Sequence, residues 1–113
     1  AGIAAITGPQ DHVEAWRSEC AGLAVDVVDR LNAVDGVHCP APEGATFVFP
    51  RFSKELNSVE LAGLLVEDEG VVITPGIGFG ASGEGHVRIA LMRSPAERVV
   101  EGVERIAAAL ANL

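Results

Sequence analysis

Aromatic side chains are scarce in this sequence of 113 residues, which has four phenylalanines, one tryptophan and no tyrosine. A hydrophobic core must therefore be built from aliphatic side chains, and 49% of the residues are hydrophobic. A chain of this length buries about two thirds of its unfolded surface on folding, which is enough for one core. The composition is that of a globular rather than a disordered chain. We expect residues 1–113 to form a single domain.

Basic residues are also few, with eight Lys and Arg against sixteen Asp and Glu and a formal net charge of −8. That charge repels phosphate backbones and anionic membrane surfaces, so we expect neither nucleic acid nor membrane as a partner. Long hydrophobic runs are missing as well. The apolar run at the N-terminus, Ile3 to Ile6, has no basic flank and is too short for a signal peptide or a membrane span.

Cysteine occurs only twice, as Cys20 and Cys39, which is not the pattern of a disulfide-rich secreted domain. Their neighbours indicate buried thiols, and a cytoplasmic location fits this usage. The three histidines, His12, His38 and His86, share no ligand spacing with each other or with the cysteines. We therefore expect no metal site.

The first predicted element is a long helix that starts at Pro9, a residue suited to a first helical turn, and ends at Gly36. Its apolar residues recur every three or four positions and so form one stripe. The stripe consists of Val13, Trp16, Cys20, Leu23, Val27, Leu31 and Val34.

Four strands are predicted from alternation and from β-branched runs, at 37–39, 46–52, 71–73 and 86–91. Pro50 confines the second strand to a sheet edge or to the end of a strand. The run 71–73 is typical of a buried strand.

Two further helices complete the predicted order α-β-β-α-β-β-α. We expect Ser58 to cap the middle helix, which ends near Gly70, and the run Ser94 to Glu97 to form a capping box for the last one. The predicted inward-facing residues are Leu61, Leu64 and Leu65 of the middle helix and Val99, Val103, Ile106, Ala107 and Leu110 of the last. The fold class is α/β, or α+β: a short, mostly antiparallel sheet covered by the first and last helices.

Five glycines lie within the ten residues from Gly76 to Gly85, and residues 78–83 match the pattern G-x-G-x-x-G. A dinucleotide-binding loop of that pattern must open a helix, whereas this one runs into the strand 86–91. A kinase-type loop would need companion motifs that the sequence lacks. The remaining interpretation from the residues alone is a flexible connection in which glycines permit positive φ angles.

Arg88 follows this loop, on the strand whose other face carries Val87, Ile89 and Leu91. Alternation therefore directs Arg88 away from the core. Such an arginine is commonly solvated or salt-bridged. It is also the side chain that holds a carboxylate by two parallel hydrogen bonds.

Four blocks in the correct order resemble the C-terminal portion of class I/II pyridoxal-phosphate aminotransferases of fold type I. They are AAITGPQDHVEAWR from Ala4, PEGATFVFP from Pro42, GVVITPGIGFGASGEGHVRIAL from Gly70 and SPAERVVEGVERIAAAL from Ser94. The resemblance covers essentially the whole chain. It departs from the family pattern at Thr46-Phe47, where an aromatic pair is common, and in the first helix.

The resemblance implies that the loop matched by Pro75, Gly76, Phe79 and Gly80 borders an active site and allows a small domain to close. It implies that Arg88 binds the α-carboxylate of an amino acid, with Phe79 beside it. The implied reaction is amino-group transfer between an amino acid and a 2-oxo acid, with pyridoxal phosphate as cofactor, in a homodimer.

The family's Schiff-base lysine, the acid beside the pyridine nitrogen and the phosphate cup all belong to a large domain. The only lysine here, Lys54, lies in a polar connection that lacks the family's lysine motif. We therefore expect no catalytic and no cofactor-binding residue in this chain, which would be inactive alone. The alternative hypothesis is a stand-alone acidic α/β module that binds small carboxylates or a partner protein.

Overall fold

The computed structural model describes all residues 1–113 and begins with two helices instead of one, α1 (Gly2–Thr7) and α2 (Asp11–Asn32). The break falls at Gly8 and Pro9, where a proline cannot supply the N–H that a continuous helix needs. The side-chain amide of Gln10 bridges the break by donating to two backbone carbonyls, at 2.9 and 3.0 Å. The sequence did not predict the separate helix α1.

The strands are short and all their pairings are antiparallel. One pair joins β1 (Val37–His38) to β3 (Arg51–Phe52). A three-stranded sheet has β5 (Val87–Ala90) at its centre, with β2 (Phe47–Val48) on one side and β4 (Thr74–Pro75) on the other. The predicted short antiparallel sheet is thereby confirmed.

Strands β2 and β3 belong to one extended segment that runs antiparallel to β5 and to the residue before it. The pairs Val48–Ile89 and Arg51–His86 keep a single register, so the interruption between them is not a bulge. Pro50 accepts a hydrogen bond from the Val87 amide at 3.1 Å but has no N–H to return. Pro50 therefore interrupts the strand through a missing hydrogen-bond donor, and β2 lies at an edge of the sheet, as predicted.

The buried strand predicted at residues 71–73 is wrong. These residues pair with no strand, and the Val72 side chain is 83% exposed. The Val71 amide instead donates to the Leu65 carbonyl at 2.9 Å and so completes the end of the preceding helix. Strand pairing starts only at Thr74.

Helices α3 (Ser58–Glu69) and α4 (Ala96–Ala111) pack against each other, and α4 also packs against α2 and α3 against β4. Their inner faces share one core with α2 and the sheet. The side chains that are almost completely buried in this core include Val27, Leu31, Val48, Leu61, Leu65, Val87, Leu91, Val103 and Ile106. On the surface, Arg30 links α2 to α4 through salt bridges to Asp26 at 2.9 Å and to Glu104 of α4 at 2.6 Å. The α/β architecture predicted from the sequence is confirmed.

Both predicted helix caps are corrected by the structure. Asn57, not Ser58, caps α3, and its side chain forms a capping box with Glu60. The N-cap of α4 is Pro95, and Ser94 makes no capping hydrogen bond. Gly70 does end α3, as predicted, and it does so in the left-handed conformation that glycine favours.

The inward faces of the helices were predicted with three errors. On α4 the buried alanine is Ala109 rather than Ala107. On α2 the stripe is buried from Cys20 to Leu31, whereas Val13 and Trp16 lie exposed near the start of the helix. The first turns of α2 therefore contribute little to the core.

Both cysteines are buried and unpaired, as the sequence indicated. Burial raises the pKa of the Cys39 thiol to about 11, so this group stays protonated at neutral pH. None of the helices combines the length and the hydropathy that crossing a membrane would require.

Helix α2 offers a matched test of the core. Val27 is 0% exposed and Val25 is 64% exposed on the same helix. Val27→Ala should lower the free energy of unfolding by about 2 kcal/mol, because it removes two buried carbons and leaves a cavity. Urea denaturation measures this change. Val25→Ala is the control and should be neutral or slightly stabilising, since alanine is the better helix former; equal losses in both variants would contradict the described packing.

Candidate functional site

The outer face of the sheet brings Arg88 together with aromatic side chains. The register of β5 against the chain from Phe47 to Phe52 places Phe49 opposite Arg88. The other neighbour of Arg88 is Thr74 of β4. Residues on one face alternate along a strand, so these side chains point away from the core that Val87 and Ile89 enter.

The Arg88 guanidinium lies between two phenylalanine rings. Its Cζ atom is 4.4 Å from the ring centroid of Phe47 and 4.8 Å from that of Phe79. Both distances are within the range of cation–π attraction. A long hydrogen bond of 3.5 Å runs from Nη2 to the Thr74 hydroxyl. The structure thus brings together Arg88 and Phe79, the two site residues that the sequence singled out.

No acidic side chain neutralises this arginine. The four salt bridges of the chain use Arg17, Arg30 and Arg105, and none includes Arg88. Arg88 is also half-buried, so water reaches only part of its fork. The arrangement presents a planar cation with donors to spare, which is the chemistry that binds a carboxylate bidentately.

A second layer of rings supports the first. Phe49 meets Phe79 edge to face, with centroids 5.6 Å apart, and stacks on His86 at 5.0 Å with an interplanar angle of 10°. Phe47, Phe49 and His86 were not predicted from the sequence as site residues. The available signal was the alternation of Phe47 and Phe49 opposite a strand that carries an arginine on its outer face.

The glycine loop that carries Phe79 is folded into two 3₁₀ turns, Gly76–Phe79 and Ala81–Gly83. Gly76 and Gly83 approach so closely that a Cβ on either would overlap the other's carbonyl oxygen. Gly80, with φ of 110°, adopts a backbone conformation that side chains rarely permit. The glycines are therefore required by close packing as well as by turn geometry, which corrects the picture of a merely flexible connection.

Glu84 anchors the end of this loop to the start of α3. Its carboxylate accepts hydrogen bonds from the Ser58 amide at 2.6 Å, the Gly85 amide at 2.8 Å and the Ser58 hydroxyl at 3.1 Å. The same hydroxyl accepts from the Ile77 amide at 3.2 Å. Ser58, taken from the sequence as a helix cap, is instead a fully buried link between helix and loop.

These bonds favour the ionised form of Glu84. The hydrogen bond from the Gly85 amide, followed by that from the Ser58 amide, holds the pKa of this carboxyl below its ordinary value. The ionised form of Glu84 is therefore stabilised in the folded loop. Its hydrogen bonds help to hold the loop, and with it Phe79, against Arg88.

Lys54 takes no part in this site. It follows β3, and its Cε atom lies 3.8 Å from where a Cβ on Gly36 would be, beside the turn after α2. The lysine therefore packs against a turn of its own chain and not beside Arg88. The residues present here do not fit a cofactor that is held through a lysine. No group of three or more His, Cys, Asp and Glu side chains is placed to hold a metal ion.

Comparison with known proteins defines the class. The family model for aminotransferase class I and II matches residues 1–106. A solved alanine aminotransferase from Pyrococcus furiosus superposes with a TM-score of 0.88 at 26% identity, over 98% of this chain and 28% of that one. The aspartate aminotransferase structure from Rhizobium meliloti gives a TM-score of 0.80 at 32% identity, over 96% of this chain and 29% of that one.

This chain belongs to the class I and II aminotransferase family, and the resemblance seen in the sequence is confirmed. Among curated relatives it is 38% identical to the LL-diaminopimelate aminotransferase of Moorella thermoacetica, over 94% of this chain and 27% of that protein. It is 37% identical to the aspartate aminotransferase of Pyrococcus horikoshii, over 87% of this chain and 28% of that protein. The chain thus spans little more than a quarter of the length of these relatives.

The Glu84 anchor predicts a pH-dependent contribution to stability. A folded-state pKa below the unfolded value means that the ionised carboxyl stabilises the fold above the unfolded pKa and that this gain is lost as the pH falls through the folded pKa. Wild type should therefore be more stable than Glu84→Gln at pH 7, and the difference should shrink at an acidic pH below the lowered folded-state pKa of Glu84.

Urea unfolding at the two pH values measures this difference. Glu55→Gln is the control, because Glu55 is exposed and makes none of the hydrogen bonds of the loop. A wild-type advantage over Glu84→Gln that stays the same at low pH would show that the carboxylate charge is not what anchors the loop.

Proposed function

We propose that this chain is the C-terminal small domain of a pyridoxal-phosphate-dependent aminotransferase, and that Arg88 binds the α-carboxylate of the substrate. The observation that carries the proposal is the unpaired guanidinium held between Phe47 and Phe79 on an open face of the sheet. The whole protein would transfer an amino group from an amino acid to a 2-oxo acid. Family membership supports the reaction class.

A fixed guanidinium does more than supply affinity. The two phenylalanine rings and the Thr74 hydroxyl restrict the Arg88 guanidinium. Less side-chain conformational entropy is therefore lost when a carboxylate binds. A carboxylate held by both donors also fixes the direction of the bond that must be broken at the neighbouring carbon. Loss of Arg88 should therefore affect turnover as well as binding.

The remaining parts of the active site would come from a longer polypeptide. The chain's one lysine, Lys54, packs beside Gly36, and the relatives are more than three times as long as this chain. We place the cofactor, its lysine and the opposite wall of the substrate cavity on that part, in a cytoplasmic homodimer. The 113 residues alone would catalyse no transfer.

Exposed apolar side chains at the N-terminal end support this placement. Ile3 and Ile6 of α1 are 81% and 80% exposed, and Val13 and Trp16 border a hollow of about 770 Å³ beside the Pro42–Thr46 segment. A stand-alone binding module would leave this surface in water, whereas a domain of a larger enzyme can cover it. For this reason we favour the domain over the module.

The loop geometry is consistent with movement as a unit. The loop is anchored to α3 through Glu84 and Ser58, and Phe79 lies at its outer turn against Arg88. Closure of the whole domain would carry the arginine and its ring together toward the substrate and exclude water from the carboxylate.

The role of Arg88 is tested in the longer polypeptide by steady-state kinetics. Arg88→Ala should lower kcat/KM for amino-acid substrates by about 100-fold or more, because a bidentate charged pair is lost in a water-poor site. Arg17→Ala removes an arginine that is paired only with Glu14 and should change kcat/KM by less than about two-fold. With an amine that lacks the carboxylate, wild type and Arg88→Ala should react equally slowly. A preserved difference on that amine would contradict carboxylate binding.

The aromatic clamp gives a separate prediction. Phe47→Leu keeps the charge of Arg88 and most of the apolar volume but removes one ring from the guanidinium. A loss of about 3- to 10-fold in kcat/KM is expected, corresponding to one cation–π contact. Val59→Leu, on the exposed side of α3, is the control for a conservative apolar change. An unchanged kcat/KM in Phe47→Leu would show that the ring does not help to place the fork.

A further inference from the structure

A second concave site lies between the segment 70–73, the end of β5 and residues 98–106 of α4. Its volume is about 350 Å³, near the lower end of the roughly 300–1,000 Å³ typical of small-molecule sites. Arg88, Phe47 and Phe79 are not among the residues that line it. It is therefore distinct from the carboxylate site proposed above and does not depend on it.

Three of the chain's eight basic residues line this cavity, namely Arg93, Arg98 and Arg105. The single acid in the lining is Glu101, which binds Arg105 at 2.6 Å. Arg105 also donates to the Glu69 carbonyl at 2.9 Å. A local excess of positive charge in a chain with a net charge of −8 is not explained by the fold alone.

Two of these arginines are free. Neither Arg93 nor Arg98 takes part in any of the four salt bridges, and neither side chain makes a hydrogen bond within the chain. Arg98 and Arg105 are seven residues apart on α4, so they lie on one side of the helix two turns apart. Arg93 approaches from the turn that precedes the helix.

The remaining wall is apolar. Val71 and Ile73 on one side and Val99 and Val103 on the other line the cavity between the arginines. Ser94 adds a hydroxyl next to Arg93. The cavity thus combines a hydrophobic wall with cationic donors at its edges, which is the usual composition of a site for a small charged molecule.

We propose that this cavity binds a small organic polyanion, with at least two phosphate or carboxylate groups on a short apolar frame. Arg93 and Arg98 each offer a planar fork that matches either group. Arg105 is neutralised by its salt bridge to Glu101, so the net positive charge of the cavity comes from Arg93 and Arg98.

Chemical-shift titration of the ¹⁵N-labelled 113-residue chain tests this site without any assay of transfer activity. Pyrophosphate and citrate are the two polyanion probes, and acetate is the monoanion control. We expect saturable shifts of the Gly70, Ser94 and Gly102 amides with pyrophosphate or citrate. The tighter of the two probes identifies the anionic group that the cavity prefers. Added salt should weaken the binding.

Variants separate a site from a general charge effect. Arg98→Ala should weaken binding at least about ten-fold, because it removes a charge-assisted donor pair. The affinity of Arg98→Lys should lie between those of wild type and Arg98→Ala, since lysine keeps the charge but lacks the planar pair of donors of the guanidinium. The matched control, Arg17→Ala, removes an arginine outside the cavity and should leave the affinity within about two-fold.

Three results would overturn the proposal. They are no saturable shift with either probe up to about 10 mM, equal weakening by Arg17→Ala and Arg98→Ala, and shifts centred on Thr74 and Phe79 instead of the cavity. Unchanged amide positions of Val27 and Leu61 in each variant show that the core is intact, so loss of binding cannot be attributed to unfolding.

Discussion

The attraction between the Arg88 guanidinium and the rings of Phe47 and Phe79 is the interaction on which the candidate site depends. Without the rings, a half-buried arginine with no acidic partner would carry an uncompensated desolvation cost. The rings offset part of that cost by about 0.5–2 kcal/mol while leaving the hydrogen-bond donors free. An acidic partner would have neutralised the same charge and occupied the fork.

The surrounding fold holds the two phenylalanine rings in contact with the guanidinium. Phe47 is placed by the register of β2 against β5, which continues unchanged past Pro50 to Arg51. Phe79 is placed by the close contact of Gly76 with Gly83 and by the Glu84–Ser58 anchor. One ring is thus held by the sheet and the other by the loop. The core beneath them, formed by α2, α3 and α4, fixes the sheet itself.

Local patterns in the sequence predicted those parts of the fold that depend on neighbouring residues. The strict alternation from His86 to Leu91 set both the strand and the outward direction of Arg88, because each residue type matched one face. The end of α3 near Gly70 was predicted correctly, and the left-handed conformation of that glycine is its physical reason. The spacing of apolar residues in the last helix correctly predicted most of its buried residues.

The errors arose where the deciding partner is distant in the chain. Ser58 and Asn57 are equally plausible caps by residue type, and what assigns Ser58 another role is Glu84, 26 residues further on. The run 71–73 has strand-forming residues, but the Val71 amide is used by α3. Phe49 and His86 stack only because two separated segments share a register, and no single-sequence pattern records that pairing.

Under the proposed function, this chain would form one wall of an active site and would contribute a positioned cation to it. The most direct test is a crystal structure of the longer polypeptide with a bound 2-oxo acid. The account predicts both terminal nitrogens of Arg88 within about 3.2 Å of the ligand's carboxylate oxygens, with Phe47 and Phe79 still against the guanidinium. A carboxylate bound elsewhere, with Arg88 in a salt bridge to its own polypeptide, would contradict it.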